Sequence, residues 1–101
     1  MAWHLLGHRL RRGPAKGGKS FMYFVYIIHS QKKDRYYIGV TADIKKRLAS
    51  HNSGANHSTR AYIPWVVIYQ EEYIDKRSAW LREKQIKSYK GGEAFKKLIR
   101  Q

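Results

Sequence analysis

Between residues 36 and 48 the chain changes periodicity within a handful of positions, and that switch restricts the fold more than any other feature. Tyr36-Tyr37-Ile38-Gly39-Val40 is a β-type run that meets a glycine, and Asp43 follows as a helix N-cap, because its side-chain oxygen satisfies a free backbone N–H of the first turn. On a helix starting at Ile44, residues Ile44, Arg47, Leu48 and His51 recur at i, i+3, i+4 and i+7 and share one face. Ile44 and Leu48 should bury. Arg47 and His51 are polar groups on the same inward stripe. An arginine there must reach water, a carboxylate or an anion, since an unpaired buried charge costs several kcal/mol, the order of a domain's whole net stability. Arg47 either snorkels outward along its own methylenes or meets such a partner, and the histidine one turn later weighs toward the partner.

The rest of the chain from residue 21 onward is equally regular. Residues 21–29 are β-branched and aromatic and read as a strand near the middle of a sheet. A polar turn, Ser30-Gln31-Lys32-Lys33-Asp34, leads into a second strand over 35–40, and so short a connection predicts an antiparallel hairpin. The first helix runs over 43–52, a small polar loop over 53–59, and a third strand over 64–74 around Trp65-Val66-Val67-Ile68-Tyr69. Asp75 caps a longer helix reaching about residue 89, Gly91-Gly92 breaks it, and a short helix follows over 93–100. The order β-β-α-β-α-α predicts an α+β fold, a three-stranded antiparallel sheet flanked by helices.

Charge narrows the class of partner. The 101 residues carry a formal net charge of +14. Residues 1–20 hold five of the 21 Lys and Arg and no acid, so 21–101 has 16 basic and 7 acidic residues, or +9. A basic surface of that size attracts nucleic acid or anionic lipid and steers association. No apolar run approaches the ~20 residues of a membrane span, so nucleic acid is the expected partner, without a membrane. The absence of cysteine excludes disulfides, thiolate metal sites and cysteine nucleophiles, a composition suited to a reducing, cytoplasmic setting. Residues 1–20 show no sustained periodicity and read as a basic, disordered extension ahead of a single domain over 21–101.

The second helix holds another anomaly. Taking about 100° per residue from Ala79, Glu83 falls between Ile86, Ala79 and Trp80, on the expected core-facing arc. A carboxylate there needs a cation. Arg47 across the fold, Lys87 one turn on, or a hard divalent ion would each serve.

Taken together these residues resemble a known family. Val25-Tyr26-Ile27, then Tyr37-Ile38-Gly39 beginning ten residues after Ile27, then Arg47 and Arg82-Glu83-Lys84-Gln85-Ile86-Lys87, are similar to the GIY-YIG nuclease domain, especially to its small stand-alone bacterial members. The resemblance spans roughly residues 23–90. It implies a DNA endonuclease that hydrolyses phosphodiester bonds with one divalent metal, Mg²⁺ or Mn²⁺, in a repair or recombination setting. By motif position it implies that Tyr26, Tyr37, Arg47, His51 and Glu83 are catalytic and that Glu83 binds the metal. Lys45, Lys46, Arg60, Lys84 and Lys87 are candidates for backbone phosphates, and each reads equally well as a solvated charge. His57 is either a substrate contact or uninvolved.

The chain departs from the family's pattern at three places. Phe24-Val25-Tyr26 stands where the first motif has its glycine, Val40 stands where the repair branch has a lysine, and no asparagine follows Glu83. The last of these bears on turnover more than on binding. With no separate recognition domain, a monomer or weak dimer of this kind would take its specificity from a protein partner. Two other readings fit the same charge: a nucleic-acid-binding module or accessory subunit without catalysis, and a basic interaction domain indifferent to metal.

Overall fold

The computed structural model describes residues 22–100, so the expected extension over 1–20 lies outside the described residues. Strands β1 (Tyr23–Ser30), β2 (Tyr36–Thr41) and β3 (Trp65–Tyr73) form one sheet in the order β2-β1-β3. Both pairings are antiparallel. Helices α1 (Ile44–Ser53), α2 (Lys76–Ser88) and α3 (Glu93–Ile99) complete the α+β arrangement, and a single 3₁₀ turn at Arg60–Tyr62 interrupts the loop before β3.

The central place of β1 explains its composition. A strand hydrogen-bonded on both edges and covered on both faces has no solvent side, so its side chains read as a continuous apolar run. Val25, Tyr26, Ile27 and Ile28 are all buried. Val25 and Ile27 point to one core, with Tyr69, Ala79, Ile86, Phe95 and Leu98 from β3, α2 and α3. Tyr26 and Ile28 point to the other, with Trp65, and Tyr37, Ile44, Leu48, Tyr62, Ile63 and Val67 pack around them. Helix α1 therefore covers one face and α2 with α3 the other. Fully burying each such aliphatic or aromatic side chain is worth about 1.5–3 kcal/mol.

Strand β3 serves both cores because of a bulge. Ile27 pairs with Tyr69 while Ile28 pairs with Val67, leaving Ile68 as the extra residue. The insertion reverses the alternation along the strand, so Trp65 and Val67 face the α1 side and Tyr69, Glu71 and Tyr73 the α2 side.

Helix ends follow the local chemistry. Asp43 accepts the Lys46 N–H at 3.0 Å and Asp75 accepts the Ser78 N–H at 2.7 Å, each satisfying a first-turn donor. Gly54 closes α1 at φ 88°, a left-handed geometry that glycine adopts without a Cβ clash.

The α2 side contains the buried ion pair. Glu71, 5% exposed, accepts the Tyr69 hydroxyl at 2.5 Å and the Tyr73 hydroxyl at 2.6 Å. It also accepts Arg82 Nε at 3.0 Å and Arg82 Nη2 at 3.0 Å. Burial and the bond to Glu71 push both tyrosine hydroxyls well above their ordinary range, so both stay protonated donors. Burial works against the charge on Arg82, but Glu71 more than offsets it and raises the guanidinium.

Two stability predictions follow from this packing. Tyr26 pairs across the sheet with Gly39, where a Cβ would meet the Tyr26 hydroxyl oxygen at 2.7 Å and its ring carbon Cζ at 2.9 Å. Gly39→Ala should therefore destabilise the domain by about 1–3 kcal/mol in thermal melts, and adding Tyr26→Phe should recover part of that loss by removing the closest atom. Glu71→Gln removes the charge that the mostly buried Arg82 pairs with on β3 and should cost about 3–5 kcal/mol in urea unfolding. A loss under about 1 kcal/mol, the size of an exposed pair, would show that the site is effectively solvated.

Candidate active site

The α1 face carries a connected chain of polar groups beneath an exposed arginine. His51 is fully buried and Tyr26 is 1% exposed, as the inward stripe of α1 requires of His51. The Tyr26 hydroxyl lies 3.0 Å from His51 Nε2, and Arg47 Nε donates to the same hydroxyl at 3.4 Å. On its far side His51 Nδ1 lies 2.9 Å from Thr59 Oγ1. Tyr37, half-buried beside Gly39, sets its ring edge-on to His51 at 4.8 Å and tilted against Tyr26 at 6.3 Å.

Proton positions follow from what each group can do. Arginine only donates, so the Tyr26 oxygen accepts from Arg47 and its own proton points at His51 Nε2. Burial first, then the nearby Arg47 charge, lowers the His51 pKa below its usual 6.5. The neutral ring then carries its proton on Nδ1, directed at Thr59. Burial raises the Tyr26 pKa, the Arg47 hydrogen bond and charge oppose that rise, and the charges of Tyr37 and Glu83 add to it. Arg47 is itself raised, mainly by its bond to Tyr26, with Tyr37 contributing. Its guanidinium is thus held by Tyr26 while the residue remains exposed.

The loop between α1 and β3 holds this chain in place. Asn52 bridges to Trp65 with a reciprocal pair, donating to its carbonyl at 3.1 Å and accepting its N–H at 2.7 Å. Trp65 Nε1 donates to the Thr59 carbonyl at 2.9 Å, which sets Thr59 against His51. Thr59 is 1% exposed. It is a site residue that the sequence reading missed, since a loop threonine has no periodicity to mark it.

Glu83 sits on α2, its side chain 15% exposed, with Oε2 2.9 Å from Lys87 Nζ. Of the cations considered for it, Lys87 is the one in contact, and the core ion pair of α2 belongs to the preceding residue, Arg82. Glu83 touches the tyrosine group only through its charge, felt at Tyr26. Tyr26, Tyr37, Arg47 and His51 are therefore in direct contact, and Glu83 is their electrostatic neighbour. Trp80, expected to close the buried arc of α2, is instead 46% exposed. Among the predicted phosphate contacts, Lys45, Lys46, Arg60, Lys84 and Lys87 are all exposed. Arg60 Nη2 lies 3.1 Å from His57 Nδ1 and Lys84 Nζ 4.5 Å from the Trp80 ring centre.

Among the described residues no three His, Cys, Asp or Glu side chains converge as a closed metal cage. That donor set does not suit zinc. One carboxylate suits a hard ion that keeps several waters and completes its shell with substrate phosphate. No helix of the described residues is long and apolar enough to cross a membrane.

Comparison with known proteins bears on this geometry. The sequence profile of the GIY-YIG catalytic domain matches residues 22–96. A UPF0213 protein of Staphylococcus haemolyticus is 33% identical over 75 residues, covering 73% of this chain and 90% of the relative. A UPF0213 protein of Streptococcus pneumoniae is 37% identical over 68 residues, 66% of this chain and 68% of that protein. One of Halobacterium salinarum is 36% identical over 67 residues, 65% of this chain and 86% of its own length. No solved structure matches the chain. With the profile spanning both strands of the hairpin, α1, β3 and α2, the chain belongs to the GIY-YIG catalytic domain family, a family of nucleases.

Proposed function

We propose that this domain is a divalent-metal-dependent DNA endonuclease, acting in repair or recombination, that hydrolyses phosphodiester bonds. The observation that carries the reading is Arg47: an exposed guanidinium whose inner edge is fixed by the buried Tyr26 hydroxyl at 3.4 Å. A cation held from behind on an exposed residue is preorganised to accept an anionic phosphate and the charge that builds on it.

The other residues divide by exposure. An attacking water needs a partner that solvent can reach. Tyr37 retains accessible surface, while Tyr26 has almost none, so Tyr37 positions the water and Tyr26 positions Arg47. His51, neutral and anchored by Thr59, keeps Tyr26 turned so that its oxygen faces the guanidinium. Glu83 is the residue that would hold Mg²⁺ or Mn²⁺, which when bound supplies Lewis-acid charge at the scissile phosphate and leaving oxygen. Lys87, an exposed side chain, neutralises Glu83 when no ion is there. Lys45, Lys46, Arg60 and Lys84 supply backbone-phosphate affinity through counterion release. A partner protein would add site selection.

The Lys87–Glu83 ion pair also favours a second reading, a binding module without catalysis, and mutagenesis separates the two. Glu83→Gln keeps size and hydrogen bonding and removes the charge that a hard cation requires. Nicking of supercoiled plasmid in Mg²⁺ should fall at least about a hundredfold, the scale of losing one electrostatic catalytic group. DNA affinity should hold and melting temperature should change little, because the buried ion pair is Glu71–Arg82. Arg47→Ala should damage binding and cleavage together. Nicking by Glu83→Gln at the wild-type rate would sink the metal role. Absence of metal-dependent cleavage in the wild-type protein, on supercoiled, branched and single-stranded DNA alike, would leave the binding module.

His51 should make the domain sensitive to mild acid. Its folded pKa is lowered, so the unfolded chain takes up the proton first as pH falls. The stability that neutral His51 contributes is complete above about pH 6.5 and is lost as pH drops below that value through the folded pKa. Melting temperature should therefore decline between roughly pH 7 and pH 5, and His51→Gln should flatten that decline. An equal slope in the variant would assign the acid sensitivity to other groups.

A further inference from the structure

Helix α2 carries a second feature that the phosphate chemistry leaves unused. Trp80 is a large apolar residue left 46% exposed. With Val40 from β2 and Lys76 and Arg77 from the first turn of α2, it lines a groove of about 330 Å³. Lys84 covers part of the indole, its Nζ 4.5 Å from the ring centre. At about 100° per residue, Lys76, Trp80, Glu83, Lys84 and Lys87 fall within an arc of roughly 100° on one side of the helix. Trp80 and Glu83 are then about 4.5 Å apart along the axis, less than one turn.

We infer that this groove is a stacking site for an unpaired nucleobase of the substrate strand, set within one helical turn of Glu83. The inference rests on the nucleic-acid reading above and names the part of the substrate that would lie beside the cut. An aromatic face rimmed by cations is how proteins hold single-stranded nucleic acid: the ring takes a base of any sequence and the cations take the flanking phosphates. The ring under Lys84 also lines the groove, and Lys76 and Arg77 give that groove the charge complementary to a polynucleotide. A duplex keeps its bases stacked inside and cannot offer one to Trp80 without deformation, so the site discriminates in favour of strands that are single, branched or locally open.

The test uses the full chain in excess chelator, so that affinity is read without cleavage. Fluorescein-labelled oligothymidylate and a blunt duplex of equal length are titrated by anisotropy. Trp80→Ala should weaken oligothymidylate binding by about tenfold and duplex binding by less than about twofold. Trp80→Phe, which keeps a ring, should lie between. Because no phosphate contact is removed, the salt dependence of oligothymidylate affinity should keep its slope in Trp80→Ala, whereas Lys76→Ala should lower it. Binding should also quench tryptophan emission in the wild type and much less in Trp80→Phe. The inference is overturned if both Trp80 variants bind oligothymidylate like the wild type, or if single strand and duplex weaken equally. It is also overturned if sedimentation shows Trp80→Ala dissociating a dimer while oligonucleotide affinity is unchanged, since the groove would then hold a second copy. Unchanged oligothymidylate binding by the Trp80 variants, with plasmid nicking still dependent on Glu83, refutes this site alone. Stacking without any metal-dependent nicking refutes the nuclease reading alone.

Discussion

Glu71 sets the geometry on which the candidate site depends, although it lies on the opposite side of the sheet from Tyr26. A buried carboxylate is tolerated only when its charge is met and its lone pairs are filled. Tyr69 and Tyr73, two positions away on either side, supply donors from its own strand, and Arg82 supplies the countercharge from α2. Fastening Arg82 to β3 fixes the rotation of α2 about its own axis. Neighbouring residues on a helix point about 100° apart, so the setting that turns Arg82 toward β3 turns Glu83 away from it. Trp80 and Lys84 go to the solvent flank by the same rotation. The ion pair thus acts at a distance on where the Glu83 carboxylate and the exposed indole stand.

On the other face, the constraint is steric before it is polar. Tyr26 occupies the room left by Gly39 on the neighbouring strand, room that a Cβ would fill. Once the ring is there, its hydroxyl is buried and must find partners. His51 and Arg47 provide them, and Thr59 satisfies the far nitrogen of His51. Each polar atom along this chain is matched to a group of complementary role, which is what makes a buried network rigid rather than costly. The outcome is one exposed guanidinium with a fixed inner edge. The motif glycine and the motif tyrosine are therefore parts of a single packing solution.

Under the proposed function, long-range attraction and the chemical step make different demands on the charged groups. The net charge of +14 acts at long range and without much regard to position, attracting a polyanion and raising encounter rates. Cleavage asks for a few charges in fixed places. Lys45, Lys46, Arg60 and Lys84 are exposed on long side chains, suited to the first task, whereas Arg47 is braced by Tyr26 and is suited to the second. Lys87 belongs to both groups, since it contacts the carboxylate that an ion would claim.

What the sequence determined by itself is whatever a few consecutive residues decide. The capping carboxylates of Asp43 and Asp75, the change of period after Gly39 and the continuous apolar run of β1 mark the elements, their order and the central strand, since each acts through hydrogen bonds or burial within a turn or a strand length. The inward stripe of α1 likewise made Arg47 and His51 legible, with the motif tyrosines beside them. The tertiary structure decided the pairings between distant segments. Tyr-x-Glu-x-Tyr on β3 reads locally as an alternating strand face, and only the packing of α2 makes Glu71 the partner of Arg82. Thr59 lies in a loop with no period, and Trp65, tied to Asn52 and donating its indole N–H to the Thr59 carbonyl, sets it against His51. The bulge at Ile68 reverses which residues of β3 face which core, and the rotation of α2 leaves Trp80 in solvent. These choices depend on which surfaces meet, and a burial pattern along one segment says that a face is covered without saying by what.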